Sequence, residues 1–564
     1  MLHNIIIVQQ KKWLLSAAVM LGSLMMSSAV CAALASVPED STRQKPPVHF
    51  APIEDRWRAI KPPLHQYNVE GRLIDPYNQN ILKGDYPIIG QKYFMILTAT
   101  ADNFFDAARV PTMTAISTQN AQDFQFFGNG NRAIFRERLS FSFEFYKGNT
   151  AFRPRDFSLK INPVFGLNYI NARERSNVNI DERLGPNRYD DHLGFQDLSF
   201  EKHLFDLNTR YDFLSVKVGI QEFNNDFRGF LFKDSNLGVR FLGSAGENRY
   251  QYNLAYFRMI ERDTNSGLNT LFENRNQDVI LANLYKQDFL TLGYTAQFSF
   301  AYNNDKPSIA IDENGIPVRP AIIAASLPHD VKAFYLGWSG DGHFGILNIS
   351  HAFYQALGRD SFNSLAGRPI NINAQMAALE LSVDRDWIRY RVSGFYASGD
   401  SRPADGTGTG FDAIIDEPFF AGGPFSYWNS QQLRVFTVSL SNENSFLPNL
   451  RGGKTEGQAN FINPGLMLFN LGMDVELTPK ARLVLNSNYL GFVSTNSLTA
   501  FANQVIRKNI GLDYGLGLVY RPFLNNNAII NFGFTALTPL GGFNDIFDSP
   551  GTQFSGVFRL VLTF

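Results

Sequence analysis

Two histidines stand directly beside an aspartate in the sequence, and these pairs are the candidates for hydrolytic chemistry. Asp191 precedes His192, and His329 precedes Asp330. A histidine oriented by a carboxylate can activate a nucleophile. Such neighbours also arise by chance in loops, and that explanation is favoured for both pairs. We therefore predict no catalytic residue and expect that the chain is not an enzyme.

Charged side chains recur at alternate positions of several segments, which would place them on one face of a strand. Cations outnumber acids among them, and a cationic wall favours anionic solutes because a narrow channel focuses the electrostatic field. The alternative is that the cations pair with acids across strands and stiffen the wall. Only clustering at a constriction would separate the two interpretations. The predicted pore-lining residues are Arg136, Arg138, Lys160, Lys217, Arg240, Glu380, Arg389, Arg391, Asp474, Glu476, Arg482, Asp513, Arg521 and Arg559.

The segment Gln221 to Gly238 mixes polar and charged side chains with phenylalanines. Its polar residues Asn224, Asn225, Asp226 and Arg228 are suited to contact a sugar or an anion at the mouth of a pore. The alternative is an extracellular loop held by aromatic anchors, and the composition favours it.

Four acids in the glycine-rich stretch 400–416 suggest a weaker hypothesis, a calcium site. Asp400, Asp405, Asp412 and Asp416 carry the oxygen ligands that Ca²⁺ prefers, but their spacing matches no EF-hand loop. The prediction is therefore that the protein has no metal site and no cofactor, with calcium at 400–416 as the open alternative.

The elements that must position these side chains are β-strands. In Leu290 to Asn303, one alternate set is largely apolar or aromatic, and every residue of the other is small or polar. Strands with one apolar and one wet face, together with abundant aromatic residues and glycine, are typical of a barrel in the outer membrane. The same alternation recurs along most of the chain. We predict an all-β fold, a transmembrane antiparallel β-barrel of 16 to 18 strands, with 18 favoured.

The connections between the predicted strands alternate between short turns and longer polar loops, the expected asymmetry of such a barrel. Segment 400–465 can hold no spanning strand or an extra pair, and the alternation slips between His192 and Phe205. Residues 36–90 are rich in proline without sustained alternation. We read them as an irregular periplasmic or lumenal segment, followed by the barrel over residues 91–564.

The first 35 residues have the pattern of a secretory signal peptide. Lys11 and Lys12 precede an apolar run that is too short to span a membrane, and small residues follow it. The sole cysteine, Cys31, would leave with this peptide. The formal net charge of −1 carries no polybasic signature, so nucleic acid is not an expected partner.

The last strand resembles the closing strand of bacterial outer-membrane barrels. Phe554, Phe558, Leu560 and Leu562 share a face that ends at Phe564. The resemblance implies that Phe564 is the signal read by the barrel assembly machinery. It also implies that the protein lies in the outer membrane of a Gram-negative bacterium, in contact with its lipid, after Sec-type export.

A second resemblance is to alginate-export-type outer-membrane channels. It rests on "YASGD", a glycine-rich stretch, "GFD" and then "FINPGLMLFNLGMDVELTPKARLVLNSNYLGF", and on Gly219, Gln221 and Arg228 in "LSVKVGIQEFNNDFRG". The family implies an 18-strand barrel whose arginine and lysine lining passes an anionic polysaccharide. We therefore predict a channel, porin-like or exporter-like, for small or polymeric and anionic solutes. The alternatives are a substrate-specific uptake or surface receptor barrel and, third, an outer-membrane hydrolase.

Overall fold

The computed structural model describes residues 81–111, 129–148, 154–174, 178–179, 181–210, 212–324 and 326–564. Contacts divide the chain into residues 1–62, which lie outside this description, and residues 63–564. The predicted signal peptide 1–35 and most of the predicted segment 36–90 thus fall outside the described residues.

The described residues form a closed barrel of 18 antiparallel strands. Each strand pairs with the next, and the first pairs with the last, from Thr100 opposite Thr563 to Ala108 opposite Ser555. Closure satisfies the backbone groups at both edges, which lipid requires. The prediction of an all-β, antiparallel barrel is confirmed, and its 18 strands are the favoured number. The strands are β1 Tyr93–Arg109, β2 Asn131–Lys147, β3 Phe157–Ala172, β4 Asn187–Asp206, β5 Phe213–Asn224, β6 Lys233–Ala245, β7 Tyr250–Arg262, β8 Asn269–Lys286, β9 Tyr294–Asp305, β10 Val331–Phe344, β11 Leu347–Asn363, β12 Arg368–Arg385, β13 Ile388–Ala397, β14 Leu466–Thr478, β15 Ala481–Gly491, β16 Asn509–Tyr520, β17 Ala528–Pro539 and β18 Gln553–Thr563.

The remaining elements are short and lie in the connections. They are the strands Ala310–Ile311, Pro317–Arg319, Thr407–Gly408, Leu433–Val435 and Val438–Ser441, the 3₁₀ turns Glu182–Leu184 and Gly423–Phe425, and the α-helices Tyr427–Ser430, Asn496–Ala502 and Gly541–Phe547. No helix in the described ranges has the length and apolar content that a membrane crossing would need.

The alternation read in the sequence has the predicted phase in β9. Phe298 and Phe300 are exposed on the outer surface, while Gln297, Ser299 and Asn303 are buried inside. The strand begins only at Tyr294, so the predicted start at Leu290 is four residues early. A turn over residues 287–293 replaces it, because Asp288 and Leu290 take positive φ angles that a strand does not allow.

The slip of phase near His192 corresponds to two irregularities in β4. The pairing shifts by one residue where Pro163 of β3 lies opposite Phe195, and again between His203 and Phe205 against β5. Proline has no N–H to donate to the ladder, which explains the bulge at the first position. An extra residue then moves the following side chains to the other face.

The two ends of the barrel differ as predicted, with two exceptions. One end, the short-turn end, carries the turns 246–249, 345–346, 386–387 and 479–480, whereas the other, the long-loop end, carries 306–330, 398–465, 492–508 and 540–552. The exceptions, both at the long-loop end, are the short connections 263–268 and 364–367. Ala397 pairs directly with Leu466, so segment 398–465 supplies no spanning strand to the wall; only its two-residue strand Thr407–Gly408 pairs with β12, in parallel, at Asn371 and Ile372.

Candidate pore constriction

Residues 398–465, named here the inner loop, fold into the barrel instead of covering its rim. Its side chains Trp428, Phe446 and Phe461 are fully buried, and they belong to one apolar cluster with Tyr335 and Tyr354 of the wall. Burying this much aromatic surface is strongly favourable. The interior at this level is therefore a packed core, in contrast to the polar lumen that the strand pattern alone predicts.

A buried ion pair holds the inner loop in its fold. Arg451 Nε donates to Asp412 Oδ2 at 2.7 Å, and the two side chains are 4% and 1% exposed. The remaining acceptor capacity of Asp412 is met by the backbone N–H of Asn460 at 2.8 Å and by Asn449. A buried pair is tolerable only when its other polar groups are satisfied in this way.

Asp513 of β16 attaches the inner loop to the wall. Its carboxylate accepts from the hydroxyl of Ser426 at 2.5 Å and from the backbone N–H of Tyr427 at 2.9 Å. The predicted pore-lining role of Asp513 is thus replaced by a structural one, because the inner loop covers this residue completely.

Three glycines on the inner face of β16 and β17 make room for Phe425 of the inner loop. A Cβ on Gly517 or Gly533 would lie 2.5 or 2.8 Å from the ring of Phe425, and one on Gly515 would collide with its carbonyl oxygen. Contacts that short are not seen for real Cβ atoms, so side chains at these positions would displace the ring. The flat surface of Gly515, Gly517 and Gly533 is named the glycine patch.

The predicted pore-mouth residues lie inside the barrel, on the connection 225–232. Asn225 contacts Tyr354 at 3.0 Å, and Asp226 accepts from the hydroxyl of Tyr354 at 2.8 Å. Arg228 donates to Glu380 of the opposite wall at 2.8 Å. Asn224 is the last residue of β5, and its side-chain oxygen faces the N–H of Asp226. The segment therefore spans the lumen, which corrects both its assignment to the mouth and the alternative of an extracellular loop.

Two cavities lie between the inner loop and the wall. The upper one is bounded by β2 to β4 and the connections 263–268 and 306–330, and the lower one by β1, β2, β6 and β16 to β18. The upper cavity, near the long-loop end, has a volume of about 190 Å³ and is lined by Arg132, Arg136, Arg188 and Arg434. The lower cavity has a volume of about 530 Å³ and extends towards the short-turn end. Its charged lining residues are Asp102, Arg136, Arg138, Lys233, Glu417, Glu443 and Arg559.

Arg136 of β2 and Glu443 of the inner loop line both cavities, and they are bonded to each other. The guanidinium donates to the two carboxylate oxygens at 2.5 and 3.2 Å, and it lies over the ring of Phe104 at 4.3 Å. Burial by itself would raise the pKa of Glu443, but Arg136, with Arg132 and Arg138 nearby, holds that pKa below its ordinary value. Glu443 is therefore an anion that bridges the inner loop and the wall.

Several predicted pore-lining cations form pairs near the short-turn end, as the alternative interpretation expected. Arg389 contacts Asp384 at 2.5 Å, and Arg391 contacts Asp474 at 2.8 Å and Glu380 at 3.9 Å. Three other pairs follow the same rule: Arg482 with Glu476, Lys160 with Asp197 at 3.4 Å, and Lys217 with the same Asp197 at 3.8 Å.

The remaining predicted cations have varied surroundings. Arg138 donates to the carbonyl oxygen of Ser266 at 2.5 Å, and Arg240 donates to Asn253 at 2.8 Å. Arg559 pairs with Asp102 at 2.6 Å in the lower cavity. Arg521 lies in the turn that follows β16.

Sequence reasoning missed seven charged residues of the two cavities: Asp102, Arg132, Arg188, Lys233, Glu417, Arg434 and Glu443. Arg132 could have been found, since it continues the two-residue spacing of Arg136 and Arg138 on β2. Arg188 lies in β4, whose alternation is interrupted by the bulge. Arg434 and Glu443 belong to the inner loop, where strand spacing carries no information.

The predicted calcium ligands are not gathered. Asp400 accepts from Thr409, Asp405 pairs with Arg402 at 3.2 Å, and Asp416 accepts from Ser445 at 2.6 Å. Within the described ranges, the acidic group with metal-like spacing is instead Asp190, Asp263 and Glu313.

The histidine–aspartate neighbours of the sequence do not pair with each other in the structure. His329 Nδ1 lies 2.6 Å from Asp360, and His192 Nδ1 lies 3.4 Å from Asp263. These contacts join different connections and strands of the barrel, which is a structural use of both histidines.

Neither a protein-family model nor a curated protein matches the sequence. Solved structures with a similar fold include OccK9 (OpdG) of Pseudomonas aeruginosa. The two chains have 10% sequence identity and a TM-score of 0.47, and the match covers 83% of this chain and 98% of that chain. A BenF-like porin from Pseudomonas fluorescens Pf-5 has 11% identity, TM-score 0.45 and coverages of 83% and 98%. The outer membrane protein OpdK of Pseudomonas aeruginosa has 7% identity, TM-score 0.43 and the same coverages. Likeness at this level does not assign a family, and the resemblance to alginate-export-type channels stays a prediction.

Proposed function

We propose that the protein is an outer-membrane channel that passes small anionic solutes through the two cavities beside the inner loop. The observation that carries this proposal is the contrast between the two faces of one closed sheet. Side chains such as Phe469 and Phe534 are half exposed on the outside, where only lipid would cover them. The cavities inside are lined by polar and charged groups.

The charge of the cavity walls supports an anionic solute. Among the residues lining the upper cavity, four arginines face a single carboxylate, that of Glu443, and one of them, Arg132, also pairs with Asp106 outside the lining at 3.5 Å. Arg188 donates a hydrogen bond to the neutral side-chain amide of Asn314 at 2.7 Å, so its charge is not cancelled by a direct partner. In a narrow space with low-dielectric walls, uncompensated cations raise the local concentration of anions.

A second candidate is a substrate-specific uptake barrel. The observation that favours it is the packed core that the inner loop forms inside the lumen, because such a core leaves narrow cavities instead of a wide water column. The two candidates differ in ion flow: the channel conducts ions without a substrate, whereas the uptake barrel conducts only when a substrate is present.

Recording from the purified, full-length mature protein in planar bilayers tests the proposal. We expect ion conductance and a reversal potential of anion-selective sign in a salt gradient. Arg136→Ser and Arg138→Ser should weaken that selectivity, since each removes a cation from the lower cavity. Arg402→Ser is the matched control: it removes the same charge from an inner-loop position whose side chain is 80% exposed and lines neither cavity.

Cation selectivity in the unmodified protein would reject the anionic solute. An absence of conductance that ends only when a substrate is added would favour the uptake barrel. Recovery of the protein in the soluble periplasmic fraction would reject the membrane channel altogether.

A further inference from the structure

The two cavities approach each other at a single contact. Of all the residues that line either cavity, Arg136 and Glu443 are the two that line both. A solute that moves directly from the upper to the lower cavity passes beside the bond between these side chains.

The two partners differ in how firmly they are held. Arg136 belongs to β2, where its neighbours pair in register on both sides, and its guanidinium rests on Phe104. Glu443 belongs to the irregular part of the inner loop between Ser441 and Arg451. The backbone there is held by the N–H of Asn444, which donates to the carbonyl oxygen of Asn429 at 2.7 Å, and by Lys454, whose ammonium donates to the carbonyl oxygens of Glu443 and Asn444 at 3.3 and 2.9 Å. The side chain of Glu443 is not part of these bonds. The carboxylate is the part of the pair that can move without breaking a strand.

The side chain of Glu443 faces open space as well as its partner. It lies deep inside the barrel, yet 36% of its side-chain surface is accessible from the cavities. The charged groups around it are Arg136 and Arg132 on β2, Arg138 below them, and the Arg559–Asp102 pair on β18 and β1. The carboxylate of Glu443 thus occupies the position in which an incoming anion would meet these cations.

We propose that Glu443 is a built-in competitor for the anion path: a solute that carries a carboxylate exchanges with Glu443 on Arg136 and so opens the passage between the two cavities. This inference rests on the proposed channel function and adds the gate and the solute class. The exchange replaces one carboxylate by another, so Arg136 is never left buried without a counter-ion. A neutral solute of the same size cannot make that exchange, and the bond excludes it.

Proteoliposome swelling with a matched pair of probes tests the gate. D-glucuronate and D-glucose have similar size and differ by the carboxylate. We expect the unmodified protein to admit glucuronate several-fold faster than glucose. In Glu443→Gln the bond to Arg136 loses its charge, so glucose entry should rise several-fold and the difference between the two probes should shrink.

Two further variants separate a gate from a general loosening. Arg136→Glu combined with Glu443→Arg restores an ion pair of reversed orientation, and we expect it to exclude glucose again. Arg402→Gln combined with Asp405→Asn removes an exposed ion pair that lines neither cavity, and it should leave the ratio of the two probes unchanged. Heat-modifiable mobility in gel electrophoresis confirms that each variant is folded.

The outcomes distinguish this inference from the proposed function. If the unmodified protein conducts anions but Glu443→Gln leaves both swelling rates unchanged, the gate is wrong and the channel stands. If the double reversal stays as permeable as Glu443→Gln, pairing at this position does not close the passage. If no variant admits either probe or conducts ions, the channel function fails and the gate with it.

Discussion

At the scale of single residues, the charged side chains of the interior have two different roles. Most cations predicted from their spacing pair with an acid on a neighbouring strand, as Arg391 does with Asp474, and they stiffen the wall. Arg136 differs because its partner, Glu443, is on the inner loop and not on the wall. The two interpretations left open by the sequence therefore apply to different residues of the same set.

A prediction at this scale concerns the buried pair of Arg451 and Asp412. Arg451→Met leaves the Asp412 carboxylate buried without a cation, which typically costs about 3 kcal/mol or more. We expect the inner loop to unfold at a lower urea concentration. The fluorescence of the buried Trp428 reports this unfolding, and Trp428→Phe identifies the signal of that tryptophan. In the exposed pair of Arg402 and Asp405, the corresponding Arg402→Met should cost at most about 1 kcal/mol. Equal effects of the two substitutions would contradict the structural role of the buried pair.

A second prediction concerns pH. Burial, with Asp312 and Glu261 nearby, raises the pKa of Glu456 to about 7, and its carboxyl group accepts from Thr264 of the connection 263–268 at 2.7 Å. Since the pKa is raised on folding, the stabilisation is present at low pH and is lost as the pH rises through about 7. Trypsin cleavage at the adjacent Lys454 should accelerate between pH 6 and pH 8.5. In Glu456→Gln, whose side chain stays neutral, the cleavage rate should follow only the pH dependence of trypsin itself. An identical profile of cleavage rate against pH in both proteins would exclude the titration of Glu456 as the cause.

At the scale of the elements, the strands combine two surfaces with different demands. Their outer faces follow the simple rule of apolar side chains towards lipid. Their inner faces vary with what they meet: glycines where Phe425 packs, asparagines such as Asn470 and Asn488 where a polar network forms, and tyrosines where the core of the inner loop is buried. The inner face of a strand in this barrel is therefore specified by the inner loop.

The glycine patch provides the prediction for this scale. Gly517→Ala places a methyl group 2.5 Å from the ring of Phe425, so we expect the ring and the segment around it to move. Overpacking of this kind typically costs about 1–3 kcal/mol. Single-channel conductance should become larger or noisier as the segment loosens. Gly394→Ala on β13, where a Cβ would meet nothing within 4 Å, is the control and should behave as the unmodified protein. Unchanged conductance in Gly517→Ala would mean that Phe425 does not position the inner loop.

At the scale of the whole molecule, the wall and the inner loop are separable structures. β13 and β14 pair with each other over ten residues, from Ile388 opposite Val475 to Ala397 opposite Leu466, without help from the residues between them. The ladder closes around the barrel in the same way at β1 and β18. The inner loop adds a core to a barrel that closes through its own 18 strands, and it pairs with the wall only through the short strand Thr407–Gly408 at the edge of β12.

This separation predicts the result of a large deletion. Replacing residues 401–462 by a short glycine–serine linker should leave a folded barrel with heat-modifiable mobility, because all 18 spanning strands are kept and only the two-residue strand Thr407–Gly408 is lost. Its conductance should rise several-fold, and its anion selectivity should fall, since the wider lumen focuses the field less. Failure to fold would show that the barrel depends on the core of the inner loop. A folded barrel of unchanged conductance would show that ions do not pass beside the inner loop.

The sequence by itself determined the wall of this protein. The period of two residues is a local property of a strand, so the phase of β9, a total of 16 to 18 strands and the slip between His192 and Phe205 were readable from residues close together in the chain. What the tertiary structure decided is how the lumen is filled. Arg136 and Glu443 are separated by 307 positions, and the hydroxyl of Tyr427 reaches the carbonyl oxygen of Arg109 across 318. No local spacing encodes such contacts, because they depend on where a long irregular segment finds complementary surface once the barrel has closed.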